Sequence, residues 1–182
     1  MDKIKFSIIG CGRIAERHAA HINEQGILSA VCDINEDRAK KLAKQYSCHY
    51  YLSIDDLLKK EKDTDVVSIC TPNGLHSEHT IKSLRANKHV LCEKPMALTV
   101  SECERMISEA TNTHTRLFIV KQNRFNPPIV ELKKAIDKNV LGKIFNVQLN
   151  CFWNRNNAYY QESDWKGTKM MDGGILFTHW CN

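Results

Sequence analysis

The sequence predicts an α/β protein: a doubly wound parallel sheet over residues 1–123, followed by an incomplete α+β second domain over residues 124–182. Three observations predict it. Strand-like and helix-like segments alternate from the start of the chain to residue 120. The glycine pattern Gly10-Cys11-Gly12-Arg13-Ile14-Ala15 stands between the first strand and the first helix. The alternation then stops at Asn126-Pro127-Pro128. Strand and helix in strict alternation force parallel pairing with right-handed crossovers, and so place helices on both faces of one sheet.

The elements follow in order. Residues 4–9 are a short apolar run, and the segment after the glycines carries Ile14, Ala15, His18, Ala19 and Ile22 on one helical stripe. Residues 27–32 form the second strand, and Ala39, Leu42, Ala43 and Tyr46 mark the next helix. A strand at 49–51 and a helix at 54–60 follow, the latter with Ser53 as its expected N-cap. Residues 65–70 are a continuous apolar run of the kind buried on both faces. A helix at 76–87, a strand at 89–92, a helix at 99–111 and a strand at 116–120 complete the alternation. Beyond it the pattern predicts one helix (129–138), a turn at 139–142, and a long strand at 144–153 that alternates only in part. The rest reads as a loop rich in Asn and Tyr. One helix and one strand cannot close a core, and an unpaired long strand invites self-association, so a homo-oligomer formed through the second-domain sheet is expected.

The glycine pattern has the G-x-G-x-x-A form of a dinucleotide fingerprint, which makes the expected fold a Rossmann one. Gly10 permits the tight strand-to-helix turn, Gly12 lets backbone approach a pyrophosphate, and Ala15 keeps helix close to strand. Unpaired N–H groups at the helix start, around Arg13 and Ile14, suit the phosphates. The second strand ends at Asp33, placed to accept hydrogen bonds from the ribose hydroxyls. An acid there repels a 2′-phosphate, and Asn35 rather than arginine follows it, so NAD is expected over NADP; Arg38 is the nearest cation.

Composition excludes other classes. Apolar residues make up 42% and charged residues 26% of 182, an ordinary globular balance. No run approaches the roughly 20 apolar residues of a membrane span, and the first residues enter a strand rather than a signal region, so the chain reads as cytoplasmic. The net charge of +5 is dispersed, which speaks against a nucleic-acid partner. Eight cysteines never form C-x-x-C, which predicts reduced thiols and no zinc site. His18 with His21, and His76 with His79, share helical faces but lack the further ligands of a metal site.

Ligands of open α/β sheets collect beyond the carboxyl ends of the strands. Thr71-Pro72-Asn73 follows the fourth strand and Glu93-Lys94-Pro95 the fifth. Lys94, at a strand end beside an apolar cofactor, is placed to donate or accept a proton. Pro95 fixes the turn, with a cis bond as one option.

The fingerprint, Thr71-Pro72-Asn73, Glu93-Lys94-Pro95 and Asp172-Gly173-Gly174 together resemble the glucose–fructose oxidoreductase, inositol dehydrogenase and MocA (Gfo/Idh/MocA) family of NAD(P)-dependent oxidoreductases, across essentially the whole chain. Gln122-Asn123-Arg124-Phe125-Asn126-Pro127, Tyr159-Tyr160 and Ser163-Asp164-Trp165-Lys166-Gly167-Thr168 are similar to its branch of UDP-N-acetylglucosamine (glucuronate) 3-dehydrogenases of surface-polysaccharide synthesis. The resemblance implies oxidation of a nucleotide-sugar hydroxyl at C3 by hydride transfer to NAD, with Lys94 as the catalytic residue. It implies cofactor contacts at Gly10, Gly12, Arg13, Ile14, Asp33, Thr71, Pro72, Asn73, His76, Glu93, Lys94 and Trp165, with Lys166 beside Trp165. It implies substrate contacts at Lys94, Arg124, Asn150, Tyr159 and Asp172. The family's histidine after the glycine pair falls at Asn182, and His179 stands three positions early. The residues leave a second reading open, an NAD-binding module without turnover.

Overall fold

The computed structural model describes residues 3–150, 152 and 154–174. Its centre is one six-stranded sheet in the order β3-β2-β1-β4-β5-β6, every pair parallel. The strands are β1 (Lys5–Ile9), β2 (Ile27–Cys32), β3 (His49–Tyr51), β4 (Val66–Ile69), β5 (His89–Cys92) and β6 (Leu117–Ile119). The helices between them are α1 (Arg13–Gln25), α2 (Glu36–Tyr46), α3 (Ile54–Lys60), α4 (His76–Arg85) and α5 (Val100–Asn112). Strand order reverses between β1 and β4, where Ile8 pairs with Ser68 and Ile9 with Ile69. That reversal opens the crevice in which such sheets bind ligands.

Side-chain alternation along each strand divides the interior into two layers. On one face Ile8, Leu28 and Val31 pack with Ala15, Ala19 and Ile22 of α1 and Ala39, Leu42 and Ala43 of α2. On the other, Ile9, Val67, Ile69 and Val90 pack with Leu57 of α3, Leu84 of α4 and Met106 of α5. The alanines on α1 and α2 let both helices approach the sheet closely. Cys32, Cys70 and Cys92 are buried among these residues as small hydrophobes, and the described cysteines 11, 32, 48, 70, 92 and 103 are all free thiols.

Side-chain caps close some helix starts and are absent from others. Asn35 accepts from the Arg38 N–H at 3.1 Å, and Thr99 forms a reciprocal capping box with Glu102. Ser53 occupies the N-cap position of α3, but its side chain makes no cap bond. Among the described residues no helix is long and apolar enough to cross a membrane.

Past β6 the structure departs from the sequence expectation. A helix, α6 (Pro127–Asp137), forms as expected, but residues 144–150 and 152 form no strand. A strand exists only through ladder bonds to a partner, and the described residues beyond β6 offer none. The sheet expected to mediate self-association is therefore not built by these residues. The Asn- and Tyr-rich stretch holds a short helix, α7 (Asn157–Gln161), capped by Asn156 on the Tyr159 N–H at 3.1 Å. The sequence reading missed that Asn as a cap.

Leu57 is fully enclosed and lies on the layer that joins α3, α4 and α5. Leu57→Ala is expected to lower the unfolding free energy by about 3 kcal/mol, measured by urea denaturation.

Candidate cofactor and active site

The fingerprint turn is set by a close approach. Gly10 has φ of 90°, and a Cβ there would stand 2.7 Å from the Cys70 carbonyl carbon and oxygen. Only glycine fits, which brings the end of β1 against the end of β4. The Gly10 N–H donates to the Cys32 carbonyl at 2.7 Å, tying in the end of β2 as well. At Gly12 a Cβ would meet no protein atom within 4 Å. The protein itself does not need a glycine there; a ligand that must reach the backbone does. Helix α1 starts at Arg13 with no side-chain cap, leaving its first N–H groups toward that space, and Arg13 and Ile14 are exposed beside it.

Asp33 is held in place by its neighbours. One carboxylate oxygen accepts from the Cys11 N–H at 2.7 Å and the other from the Asn35 N–H at 2.8 Å. Each oxygen keeps a second lone pair, so the anchored carboxylate can still receive ribose hydroxyls. The open cradle at Gly12, the uncapped helix start and this fixed acid fit a dinucleotide. Cys11, between the two glycines, is pushed up to about 12 by burial and then by the Asp33 charge, so it stays a thiol.

The loop after β4 carries Thr71, Pro72 and Asn73. Asn73 is buried, and its Nδ2 donates to the Asp172 carbonyl at 2.9 Å and to Asp172 Oδ1 at 3.3 Å. Asp172 Oδ2 accepts from the Gly167 N–H at 2.9 Å. The Gly74 N–H donates to Met171 at 2.9 Å, and a Cβ on Gly74 would stand 2.4 Å from the Met170 carbonyl. Gly74 is thus a site residue that the sequence reading passed over; its signal was a glycine directly after Thr71-Pro72-Asn73. Asp172, expected at the substrate, is buried and braces segment 163–174 against this loop.

The turn after β5 holds Lys94, half-buried, with a cis bond to Pro95. Glu93 is buried; its Oε1 lies 2.8 Å from His18 Nε2, and its Oε2 accepts from the Lys94 N–H at 3.2 Å. His18 Nδ1 lies 2.7 Å from the Ser68 hydroxyl. His18 read as an ordinary core residue in sequence because its partners lie 75 and 50 residues away. His76 is enclosed, its Nδ1 2.6 Å from the Pro95 carbonyl and its Nε2 2.9 Å from the Thr71 carbonyl. His79 Nδ1 lies 3.2 Å from the Thr71 hydroxyl.

The outer residues divide into two groups. Trp165 and Lys166 are half-buried on the braced segment. Lys166 Nζ lies 2.6 Å from Glu162 and 4.2 Å from the centre of the Tyr159 ring, and Arg155 stands 4.0 Å from the same ring. Glu162 is held below its ordinary value by its bond to Lys166, with the charges of Arg13 and Arg155 adding to it. Arg124, on a 3-10 turn (Gln122–Phe125), and Asn150 are exposed and are not drawn into this cluster. His179 and Asn182 lie outside the described residues.

Gly10→Ala is expected to cost about 3 kcal/mol of stability or more, and Gly12→Ala about 1 kcal/mol or less. Gly12→Ala should nevertheless weaken NADH binding about tenfold by placing a methyl where pyrophosphate approaches; urea unfolding and a fluorescence titration check the pair. Burial also holds His76 and His79 below the ordinary imidazole value of 6.5, against the carbonyl bonds of the former. As pH falls through that value, the unfolded chain takes up protons that the folded chain refuses. Stability therefore falls on acidification, and the slope of Tm against pH should flatten in a His76→Gln, His79→Gln double variant.

Residues 4–121 match the model of the oxidoreductase family with an NAD-binding Rossmann fold, Gfo/Idh/MocA. The myo-inositol 2-dehydrogenase of Thermotoga maritima is 31% identical over 77% of this chain and 42% of its own. Two solved structures are similar over 97% of the chain. The WlbA dehydrogenase of Chromobacterium violaceum, in complex with NADH and UDP-GlcNAcA, has a TM-score of 0.93, 36% identity and 52% of its own length covered. That of Bordetella pertussis, with the same ligands, has a TM-score of 0.92, 34% identity and 54% covered. The chain spans about half the length of these relatives. With the glycine cradle, the anchored Asp33 and the Lys94 turn in place on this sheet, the chain belongs to the Gfo/Idh/MocA family of NAD-binding oxidoreductases.

Proposed function

We propose that this chain supplies the NAD-binding domain and the first part of the substrate domain of a dehydrogenase acting on a nucleotide-linked amino sugar or its uronate, oxidising the C3 hydroxyl in surface-polysaccharide synthesis. The observation that carries this reading is the reach of the likeness. It continues past residue 121 to 97% of the chain in the two WlbA structures, and both hold NADH and UDP-GlcNAcA. The braced segment bearing Trp165 and Lys166 supports it, because Asp172 ties that segment to the loop after β4, at the strand ends where the crevice opens.

NAD, when bound, is the acceptor of the hydride that leaves the sugar carbon. The chain's own part is binding, orientation and proton transfer. The Gly12 backbone and the start of α1 hold the pyrophosphate, and Asp33 holds the ribose and disfavours a 2′-phosphate. Lys94 Nζ, as the neutral amine, accepts a hydrogen bond from the reacting hydroxyl and takes its proton, becoming the ammonium, as the hydride leaves carbon and the carbonyl forms. Tyr159, with Arg155 and Lys166 against its ring, offers an aromatic and cationic edge to the nucleotide sugar. Arg124 and Asn150 belong to the same proposal as sugar or phosphate contacts. The second reading is a module that binds NAD without turnover.

NADH titration with UDP-GlcNAcA-dependent reduction of NAD on the same sample decides between the two. Binding with turnover supports the dehydrogenase, binding without turnover supports the module, and no binding overturns both. Lys94→Ala should reduce turnover about 10³-fold. Asp33→Ala should narrow the preference for NADH over NADPH, measured by paired titrations.

A further inference from the structure

Two histidines outside the reacting groups, His76 buried and His18 half-buried, hold the turn that carries Lys94, one on each side. From α1, the helix that opens at the fingerprint, His18 places Nε2 2.8 Å from Glu93 Oε1. Both side chains are only 9% exposed. A carboxylate that far from water needs donors, and those seen here are the His18 ring and the Lys94 N–H. Ser68, fully buried on β4, fixes the other edge of the ring at 2.7 Å and so sets its orientation. From α4, His76 places Nδ1 2.6 Å from the Pro95 carbonyl while its Nε2 faces Thr71 at 2.9 Å. The residues immediately before and after Lys94 are therefore each bound to a different histidine. Those histidines belong to the fingerprint helix and to the start of α4, which follows the loop after β4.

We propose that His18 and His76 are positioning residues for Lys94, fixing its backbone from both sides so that its amine is presented at one place in the crevice. The proposal rests on the reading of Lys94 as the proton-transfer residue. Neither histidine needs to touch substrate for this role. What each supplies is one directed hydrogen bond: from Nε2 to the Glu93 carboxylate, and from Nδ1 to the Pro95 carbonyl. An amide side chain of matching reach can replace either bond. Glutamine carries its NH₂ near the place of a histidine Nε2, and asparagine near that of Nδ1. Phenylalanine keeps the ring volume and supplies no donor. Side-chain bulk and hydrogen bonding can thus be separated at both positions.

The test uses the chain with NADH bound. NMR of labelled lysine ammonium groups reports the surroundings of Lys94, with Lys94→Arg assigning its signal. His18→Phe and His76→Phe should each move the Lys94 signal, and His18→Phe should leave the NADH dissociation constant within about threefold. His18→Gln and His76→Asn should return the signal toward its wild-type place. A merely structural role would not give donor-specific rescue. Where a Phe variant does not fold, Ser68→Ala serves instead: it frees the His18 ring without removing it and should shift the Lys94 signal in the same direction as loss of the bond. An unmoved Lys94 signal in variants that still bind NADH overturns the proposal. Wild-type turnover in Lys94→Ala overturns the proton-transfer reading instead, and leaves the NMR result to decide the positioning by itself.

Discussion

The rest of the site depends on one contact: the peptide at Gly10 packed against the Cys70–Thr71 peptide at a separation that excludes a side chain. It holds the carboxyl ends of β1 and β4 together at the centre of the sheet. From that point the chain must leave in opposite directions, α1 into one packed layer and α4 into the other. The crevice is the space between those departures. The end of β2 is bound to the same turn through Gly10 N–H and the Cys32 carbonyl, and Asp33 is then bound to the Cys11 N–H. Phosphate cradle and ribose acid are thus two consequences of one tight turn.

Around that turn buried polar groups are joined in short hydrogen-bonded chains. Glu93, His18 and Ser68 form one chain of hydrogen bonds, and Asn73, Asp172 and Gly167 form another. Each buried donor or acceptor would be costly alone, so these chains hold their members in single orientations and stiffen the loops that carry Lys94 and Asn73. His76 is the exception in kind. Both its ring nitrogens face carbonyl oxygens, which only an imidazolium satisfies, while burial holds the ring below its ordinary value. The ring therefore balances desolvation against two acceptors at the junction of the two site loops.

The contrast between the two later segments shows what decides order beyond the sheet. Residues 163–174 are anchored because Asp172 meets complementary donors and Gly74 lets their backbone come close. Helix α6 meets no such site. Its apolar residues Ile129, Leu132 and Ile136 stay exposed, as do Val147 and Leu149 in the stretch expected to be a strand. A helix can satisfy its backbone internally and so forms without a partner, whereas a strand cannot.

The alternation of short apolar runs with helical stripes, the G-x-G-x-x-A turn, the acid after β2 and the Lys94 turn were all legible in the chain, because each leaves a local pattern of a few residues; that Gly10 meets Cys70 and Asp33 meets the Cys11 N–H was not. Even Gly12 could be read without a structure, since its job is to leave space. The clamps on Lys94 could not be read. His18 reaches Glu93 across 75 residues and Asn73 reaches Asp172 across 99, and neither pairing leaves a periodic trace. The long segment after residue 143 was read as a strand from its pattern. Its state was decided by whether another strand lay beside it, since backbone hydrogen bonds in a sheet are made between segments and never within one.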